Sequence, residues 1–144
     1  MLDHFFAVTI TSIYEIFARG RDNRPVVQKI ALDGPSVFSI GQELETGTMV
    51  AIGKMIINYI PEGGGLTSFE RRVESVNTCY FTSNTSRVVA LFLTYDEAKE
   101  CFRHKDRTPG DKRWLAQTRA VIEAIGPDHP IFYICEQPTF RLLP

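Results

Sequence analysis

The sequence has few of the residues that disulfide frameworks and zinc sites require. It contains three cysteines, and Cys79, Cys101 and Cys135 are spaced so widely that no CxxC pair exists. Neither a zinc ribbon nor a thioredoxin-like pair is therefore available. We expect buried free thiols in a reducing compartment. Arg103 and His104 lie near Cys101 and could activate it, but core packing is the favoured interpretation.

Motifs of catalysis and of cofactor binding are also lacking. The chain has no HExxH, GxGxxG or GxSxG motif, which excludes the strongest signatures of zinc peptidases, dinucleotide-binding domains and α/β-hydrolases. Residues 63–65 are consecutive glycines, but no Walker lysine follows them, and we interpret them as a hairpin tip. His4 lies in the terminal segment and His129 in a turn. We predict no cofactor, and the sequence leaves open whether the chain is an enzyme.

One row of residues has the spacing of a metal site. Asp96, Glu100 and His104 follow each other at intervals of four, which places a carboxylate pair and an imidazole on one stripe of a helix. The stripe lies opposite the apolar face, where solvated side chains form weak ion pairs with residues such as Lys99 and Arg103. We therefore predict a solvated surface here and no metal.

Neither a basic excess nor a long apolar run is present. Lysine and arginine number 16 against 17 acidic residues, for a net charge of −1. A nucleic-acid-binding protein usually carries a basic surplus, because contacts to phosphates supply much of the affinity. No stretch approaches the ~18 apolar residues of a membrane span, and the N-terminus lacks the pattern of a signal peptide. We predict a cytoplasmic protein that binds neither nucleic acid nor membrane.

What the sequence does have is an ordinary globular composition. It has 144 residues, 44% hydrophobic and 23% charged, and we find no repeat and no linker long enough to separate domains. A chain of this length buries roughly two-thirds of its unfolded surface, which is enough for one stable core. Residues 1–144 are therefore predicted to form a single domain.

The first two-thirds of the chain is predicted to be β. Residues 10–18 and 26–32 are rich in β-branched and aromatic types and are separated by a polar stretch, which indicates a hairpin with a long loop. Residues 49–60 and 66–76 form a second pair, and the charges on both faces of 66–76 are typical of an edge strand. Residues 88–93 are uniformly apolar, which indicates a central strand covered on both faces.

The last third is predicted to be mainly helical. Thr94 and Glu97 form a capping box that opens a helix ending near residue 104. Thr108 and Pro109 open a second helix that Gly126 closes. Residues 131–135 are a last strand, which a crossover connection can place parallel to residues 88–93. The predicted class is α+β, with a mixed, mostly antiparallel sheet of about six strands and two helices packed on one face.

The best candidate site is a polar run ahead of the central strand, predicted as the loop 77–87. Hydroxyls, an amide and an arginine could converge there on an anion or a polar ligand, although the same residue types are also ordinary turn formers. The candidate ligand-binding residues are Asn77, Thr78, Ser83, Asn84, Thr85, Ser86, Arg87 and Arg72.

Two functions fit this sequence. The favoured one is a non-catalytic module that binds a protein partner, such as a second copy of the chain, or a small polar ligand. The alternative is a small enzyme acting on a polar or anionic metabolite through the 77–87 loop. In the alternative, Arg87 neutralises the substrate, Asn84 orients it, and Glu70 or Glu74 is the base.

Overall fold

The computed structural model describes residues 1–34, 39–44, 49–53, 65–71 and 79–135. The strands within them are β1 His4–Thr9, β2 Ser12–Arg21, β3 Arg24–Leu32, β4 Met49–Gly53, β5 Gly65–Arg71, β6 Cys79–Phe92 and β7 Phe132–Cys135. The helices are α1 Tyr95–Arg103 and α2 Leu115–Ile125, with a 3-10 turn, Lys112–Trp114, between them.

The strands form a sheet with the order β3-β2-β1-β6-β5-β4-β7. Neighbouring strands are antiparallel except β4 and β7, which are parallel. The α+β class and the mostly antiparallel sheet are confirmed. The number of about six strands is not confirmed. β5 pairs with strands on both sides, so the edge position predicted for 66–76 is wrong over β5; residues 72–76 lie outside the described residues.

One interior strand of the sheet, β1, is formed by a segment that the sequence did not predict to be a strand. β1 pairs with β2 on one side and with β6 on the other. Phe5 and Ala7 belong to one buried cluster, and Phe6 and Val8 belong to another. Since successive strand residues project to opposite faces, β1 is covered on both faces.

The hairpin of β2 and β3 has a tighter connection than predicted. Only Asp22 and Asn23 lie between the strands, with φ angles of 49° and 59°. Two consecutive residues in this region favour a primed turn, whose twist matches that of the strands, and short side chains such as Asp and Asn adopt positive φ most easily. The prediction of a long polar loop is therefore wrong, because the flanking polar residues continue the strands as exposed positions.

The two helices cover opposite faces of the sheet, which corrects the prediction that both pack on one face. Cys101 of α1 is buried with Phe6, whereas Val121 of α2 is buried with Phe5. The physical reason is that residues 88–92 of β6 are buried throughout, so both sides of the strand need an apolar cover. α2 also supplies an acceptor to β6, because the backbone N–H of Leu91 donates to Thr118 Oγ1 over 3.1 Å.

The start of α1 is as predicted, and the start of α2 is not. The hydroxyl of Thr94 accepts from the backbone N–H of Glu97 at 3.3 Å and donates to its carboxylate at 2.8 Å. The second helix begins at Leu115 rather than near Thr108, since Gly110 has a φ of 72° that no α-helix contains. Neither helix in the described part of the chain has the length and apolar character of a membrane span.

One buried arginine connects three of these segments. Arg107, whose side chain is only 3% exposed, follows α1 and lies against the turn between β1 and β2. Its guanidinium donates to the backbone oxygens of Ile10 at 2.8 Å and Thr9 at 3.4 Å. It also donates to the backbone oxygens of Phe102 at 3.1 Å and His104 at 2.9 Å, near the end of α1.

The same guanidinium reaches the end of β3. Arg107 Nη2 donates to Asp33 Oδ2 at 3.3 Å, and the guanidinium carbon lies 4.3 Å from the ring centre of Phe102. A fork of five N–H donors suits this arrangement, because one group can satisfy several carbonyls at once. Arg107 therefore holds α1, the β1–β2 turn and the end of β3 together.

We expect the substitution Arg107→Met to lower the free energy of unfolding by about 3 kcal/mol or more, because it leaves buried carbonyls without their donor. Arg107→Lys should not restore the free energy of unfolding, since one ammonium group cannot replace the several N–H donors of a planar guanidinium. The measurement is urea unfolding followed by circular dichroism. Arg103→Met, at a side chain that is 74% exposed, is the control, with a loss below about 0.5 kcal/mol. Equal losses of unfolding free energy for Arg107→Met and Arg103→Met would refute this structural role of Arg107.

Candidate functional site

The predicted 77–87 loop is a strand wherever the structure describes it. Residues 79–87 belong to the first part of β6, which pairs with β5, with Ser83 opposite Ser68 and Asn84 opposite Thr67. Side chains such as these favour turns when isolated, but pairing with a neighbouring strand overrides that preference. Asn77 and Thr78 lie outside the described residues.

The remaining residues of the two hypotheses are Arg72, a candidate ligand-binding residue, and Glu70 and Glu74, the candidate bases of the enzyme. Arg72 and Glu74 also lie outside the described residues. Glu70 is part of β5, where it pairs with Tyr80 of β6. The described backbone therefore places Glu70 and Asn84 on neighbouring strands, but as members of a sheet rather than of a loop above it.

Three of the predicted residues reach what we call the turn end, defined by residues 9–12 and 85–87. Ser86 Oγ lies 3.4 Å from Thr11 Oγ1, which is 3.3 Å from Ser12 Oγ. Thr85 donates its hydroxyl to the backbone oxygen of Ser86 at 2.9 Å. The backbone oxygen of Arg87 accepts from the N–H of Ile10 at 3.1 Å. The structure thus gathers hydroxyls at this end, where they bond to each other and to nearby backbone groups.

The charged side chains beside the turn end stabilise the fold. Asp33 accepts from Lys105 at 2.8 Å and from Arg107 at 3.3 Å. Hydrogen bonds from Lys105 and then from Arg107 hold the pKa of the Asp33 carboxyl below its usual value. Because this carboxylate offsets part of the local positive charge, the turn end provides less attraction for an anion than its count of cations indicates.

Two groups with the chemistry of a nucleophile or a base are buried in structural positions. Burial, followed by the negative charge of Asp111, raises the pKa of the Cys101 thiol to about 12. His129 Nδ1 accepts from the backbone N–H groups of Ile131 and Phe132, each at 3.0 Å, and Nε2 donates to the backbone oxygen of Leu2 at 2.7 Å. These bonds use both ring nitrogens of His129 to secure the chain before β7.

Of the row predicted to be solvated, the two carboxylates are exposed and His104, which follows α1, is half-buried. Asp96 and Glu100 are exposed, and Glu100 accepts from Arg103 at 3.0 Å. His104 Nε2 lies 4.0 Å from a Glu100 oxygen. Across the described ranges, no three His, Cys, Asp or Glu side chains are grouped in a way that could hold a metal ion.

A buried lysine on β3 is a candidate that was not predicted from the sequence. Lys29 is fully buried and lies opposite Tyr14 of β2, with its ammonium 5.5 Å from the centre of the tyrosine ring. Burial lowers the pKa of Lys29 and raises that of Tyr14. Strand alternation is the signal that could have found Lys29, since Pro25, Val27 and Lys29 are the buried positions of β3 at intervals of two.

An open groove lies beyond the other end of β6. It has a volume of about 320 Å³, and its lining residues come from the end of β6, the first turn of α1 and the first half of α2: Leu93, Glu97, Ala116, Gln117 and Ala120. Leu93 was predicted to be buried in the central strand, but β6 ends at Phe92 and Leu93 is 44% exposed. The side-chain oxygen of Gln117 is buried without a hydrogen-bond partner.

Aromatic side chains extend this surface across the sheet. Tyr95, which follows Leu93 by two residues and is 41% exposed, has its ring 5.8 Å from that of Phe6. The ring centre of His4 lies 5.0 Å from that of Phe6 and 4.3 Å from that of Phe17, on which the imidazole stacks. Glu15 bonds His4 at 2.9 Å. We call the groove together with these aromatic residues the groove end.

Comparisons with protein-family models, with curated proteins and with solved structures find no match for this chain. The site is therefore defined by its geometry alone.

The raised pKa of Cys101 makes a testable link between pH and stability. Because the folded-state pKa lies above the ordinary thiol value, the buried thiol contributes its full stability below about pH 9 and loses it as the pH rises toward 12. We expect Cys101→Ala to be less stable than the parent protein at pH 7, with a difference that shrinks between pH 9 and 11. Urea unfolding at each pH measures it, and a constant difference would contradict the burial of the thiol.

Proposed function

We propose that the protein is a non-catalytic binding module whose binding surface is the groove end. The observation that carries this proposal is an open groove with an exposed leucine, Leu93, in its wall, followed two residues along the chain by a second exposed large apolar side chain, Tyr95. An isolated exposed leucine needs no explanation, but apolar residues grouped around a concavity are typical of interaction sites.

The positions of the reactive side chains support a module that binds without catalysing. Cys101 is buried with a raised pKa, and both nitrogens of His129 bond to backbone groups. The alternative enzyme rested on a polar loop at residues 77–87, and β6 occupies that segment from Cys79 onward. The polar loop was the main argument for an enzyme, and a strand in its place weakens that argument. We therefore retain the binding module.

The chemistry of the groove end favours a protein partner over a small polar ligand. The surface combines aliphatic and aromatic groups, Leu93, Tyr95 and Phe17, with charged residues at its margin such as Glu15 and Lys99. An apolar centre with a polar rim is the usual composition of a protein–protein interface. A second copy of this chain is one such partner. The proposal includes a cytoplasmic location, which the free thiol at Cys101 fits.

The test is native mass spectrometry of the protein isolated gently from its own cells. We expect the parent protein to carry a second polypeptide or a second copy of itself, and we expect the variant Leu93→Asp, Tyr95→Ser to lose it, because a carboxylate at the centre of an apolar interface must be desolvated.

Ile10→Asp is the matched control, since Ile10 is exposed to a similar extent, 42%, but lies at the turn end. This variant should keep the partner. A bare monomeric parent protein would refute the proposal. So would a partner that Ile10→Asp loses and the Leu93 and Tyr95 variant retains.

A further inference from the structure

The hydrogen bonds of His129 determine where its imidazole carries its proton. His129 lies in the turn between α2 and β7 and is 7% exposed. Its Nδ1 accepts from two backbone N–H groups, those of Ile131 and Phe132, each at 3.0 Å. An imidazole nitrogen that accepts a hydrogen bond carries no proton, so the ring in this fold is the neutral tautomer with its proton on Nε2.

The proton on Nε2 connects the turn to the beginning of the chain. Nε2 donates to the backbone oxygen of Leu2 at 2.7 Å, a bond between residues 127 positions apart. β1 begins two residues after Leu2 and is an interior strand of the sheet. One buried ring therefore holds the approach to β1 and the approach to β7 together, and it uses both nitrogens to do so.

The same turn is packed against the rest of the sheet. The ring of His129 stacks on Phe132 with 4.6 Å between ring centres, and Phe132, which is buried, meets Phe5 of β1 edge-on at 4.9 Å. The backbone oxygen of Ile131 accepts from the N–H of Val50 in β4 at 2.9 Å. Opening of the turn would therefore expose a buried aromatic side chain and loosen the start of β7.

A second proton on the ring is incompatible with this arrangement. Both nitrogens of an imidazolium donate, so Nδ1 would direct a third N–H at the N–H groups of Ile131 and Phe132. Rotation of the ring gives no relief, because it only exchanges one N–H for the other. A buried charge without a partner is also unfavourable. The closed turn and the protonated ring therefore exclude each other.

The elements around the ring bring little countercharge to it. Neither β4 nor β7 contains a charged residue. The charged and titratable groups of the other neighbouring segments are the Met1 amine, Asp3, His4, Arg119, Glu123 and Asp128. The carboxylates among them belong to exposed residues, where water and salt screen them. Within the described part of the chain, the ring nitrogens of His129 bond only to backbone groups.

We propose that His129 is an acid-released latch, defined by its bonds to Leu2, Ile131 and Phe132. At neutral pH the uncharged ring keeps the latch closed. When the pH falls, protonation of Nδ1 expels the ring from the turn, releases Leu2 and exposes Phe132. A free imidazole titrates near pH ~6.5. The latch is therefore fully closed well above that pH and opens as the pH falls below it, because only the open form takes up the proton. This device is independent of the groove end.

The test is amide hydrogen exchange of the full chain, followed by NMR between about pH 7.5 and about pH 5. We expect the protection of the Ile131 and Phe132 amides, corrected for the intrinsic exchange rate, to fall roughly thirtyfold over this range. The amide of Leu91, which donates to Thr118, is the internal reference and should keep its protection. Constant protection at Ile131 and Phe132, or an equal fall at Leu91, would overturn the inference.

A matched pair of variants assigns the effect to one ring. His129→Asn retains a side-chain oxygen that can accept from N–H groups two and three residues on, as in an Asx turn, but it cannot be protonated. It should lower protection at neutral pH, because the bond to Leu2 is lost, and should abolish the dependence on pH. His4→Asn is the control and should keep the dependence of the parent protein, since His4 projects to the opposite face of β1 from Phe5.

Persistence of the pH dependence in His129→Asn, or its loss in His4→Asn, would contradict the latch. A measurement without substitution covers the case in which His129→Asn does not fold. In long-range proton–nitrogen spectra of the parent protein, we expect His129 to carry one proton, on Nε2, for as long as the Ile131 and Phe132 amides stay protected. A doubly protonated His129 ring beside two protected amides would show that the turn accepts the cation, and the proposal would be wrong.

Discussion

The burial of one guanidinium between a helix end, a turn and a strand end sets the geometry of this fold. Arg107 is charged and almost completely enclosed, so removing it from water is unfavourable unless its donors are used. Backbone oxygens of Thr9, Ile10, Phe102 and His104 use them, and Asp33 contributes the countercharge. Carbonyls do not adjust as long side chains do, so these bonds fix where α1 ends relative to β1 and β2.

The position of α1 determines in turn where the sheet is open. α1 begins just beyond β6, and its far end is held at the β1–β2 turn by Arg107. α2 lies on the opposite face and is bonded to β6 through Thr118. Residues of both helices therefore line one groove beyond Phe92, where β6 has ended and Leu93 is exposed. The groove is a consequence of covering a central strand on both faces with helices that extend past its end.

Features governed by local chemistry could be predicted from the sequence. Thr94 caps α1 as expected, with the Glu97 carboxylate accepting from the Thr94 hydroxyl rather than from its backbone N–H, and the uniformly apolar residues 88–92 are part of a buried central strand. Both depend on neighbours in sequence: one on a hydroxyl three residues from a carboxylate, the other on a run without polar residues.

Features governed by distant pairing could not be predicted. Residues 79–87 have the composition of a turn, and only the presence of β5 alongside makes them a strand. β1 is a short apolar run near the start of the chain, and its interior position in the sheet depends on pairing with β2 and β6. Arg107 resembled any surface arginine, because its acceptors are backbone oxygens up to about a hundred positions away. The candidate site differs from the predicted one for the same reason. The groove end combines residues of β6, α1 and α2, so no single segment of the sequence predicts it.

The central claim is that partners bind at the groove end and not at the turn end. The most direct measurement is photo-crosslinking in the cells that make the protein, with benzoylphenylalanine placed at Tyr95 in one variant and at Arg87 in the other. Both positions are exposed, so the probe disturbs little packing at either. The account predicts a crosslinked polypeptide from position 95 and none from position 87. Crosslinking from position 87 alone would place the interface at the turn end and contradict the account.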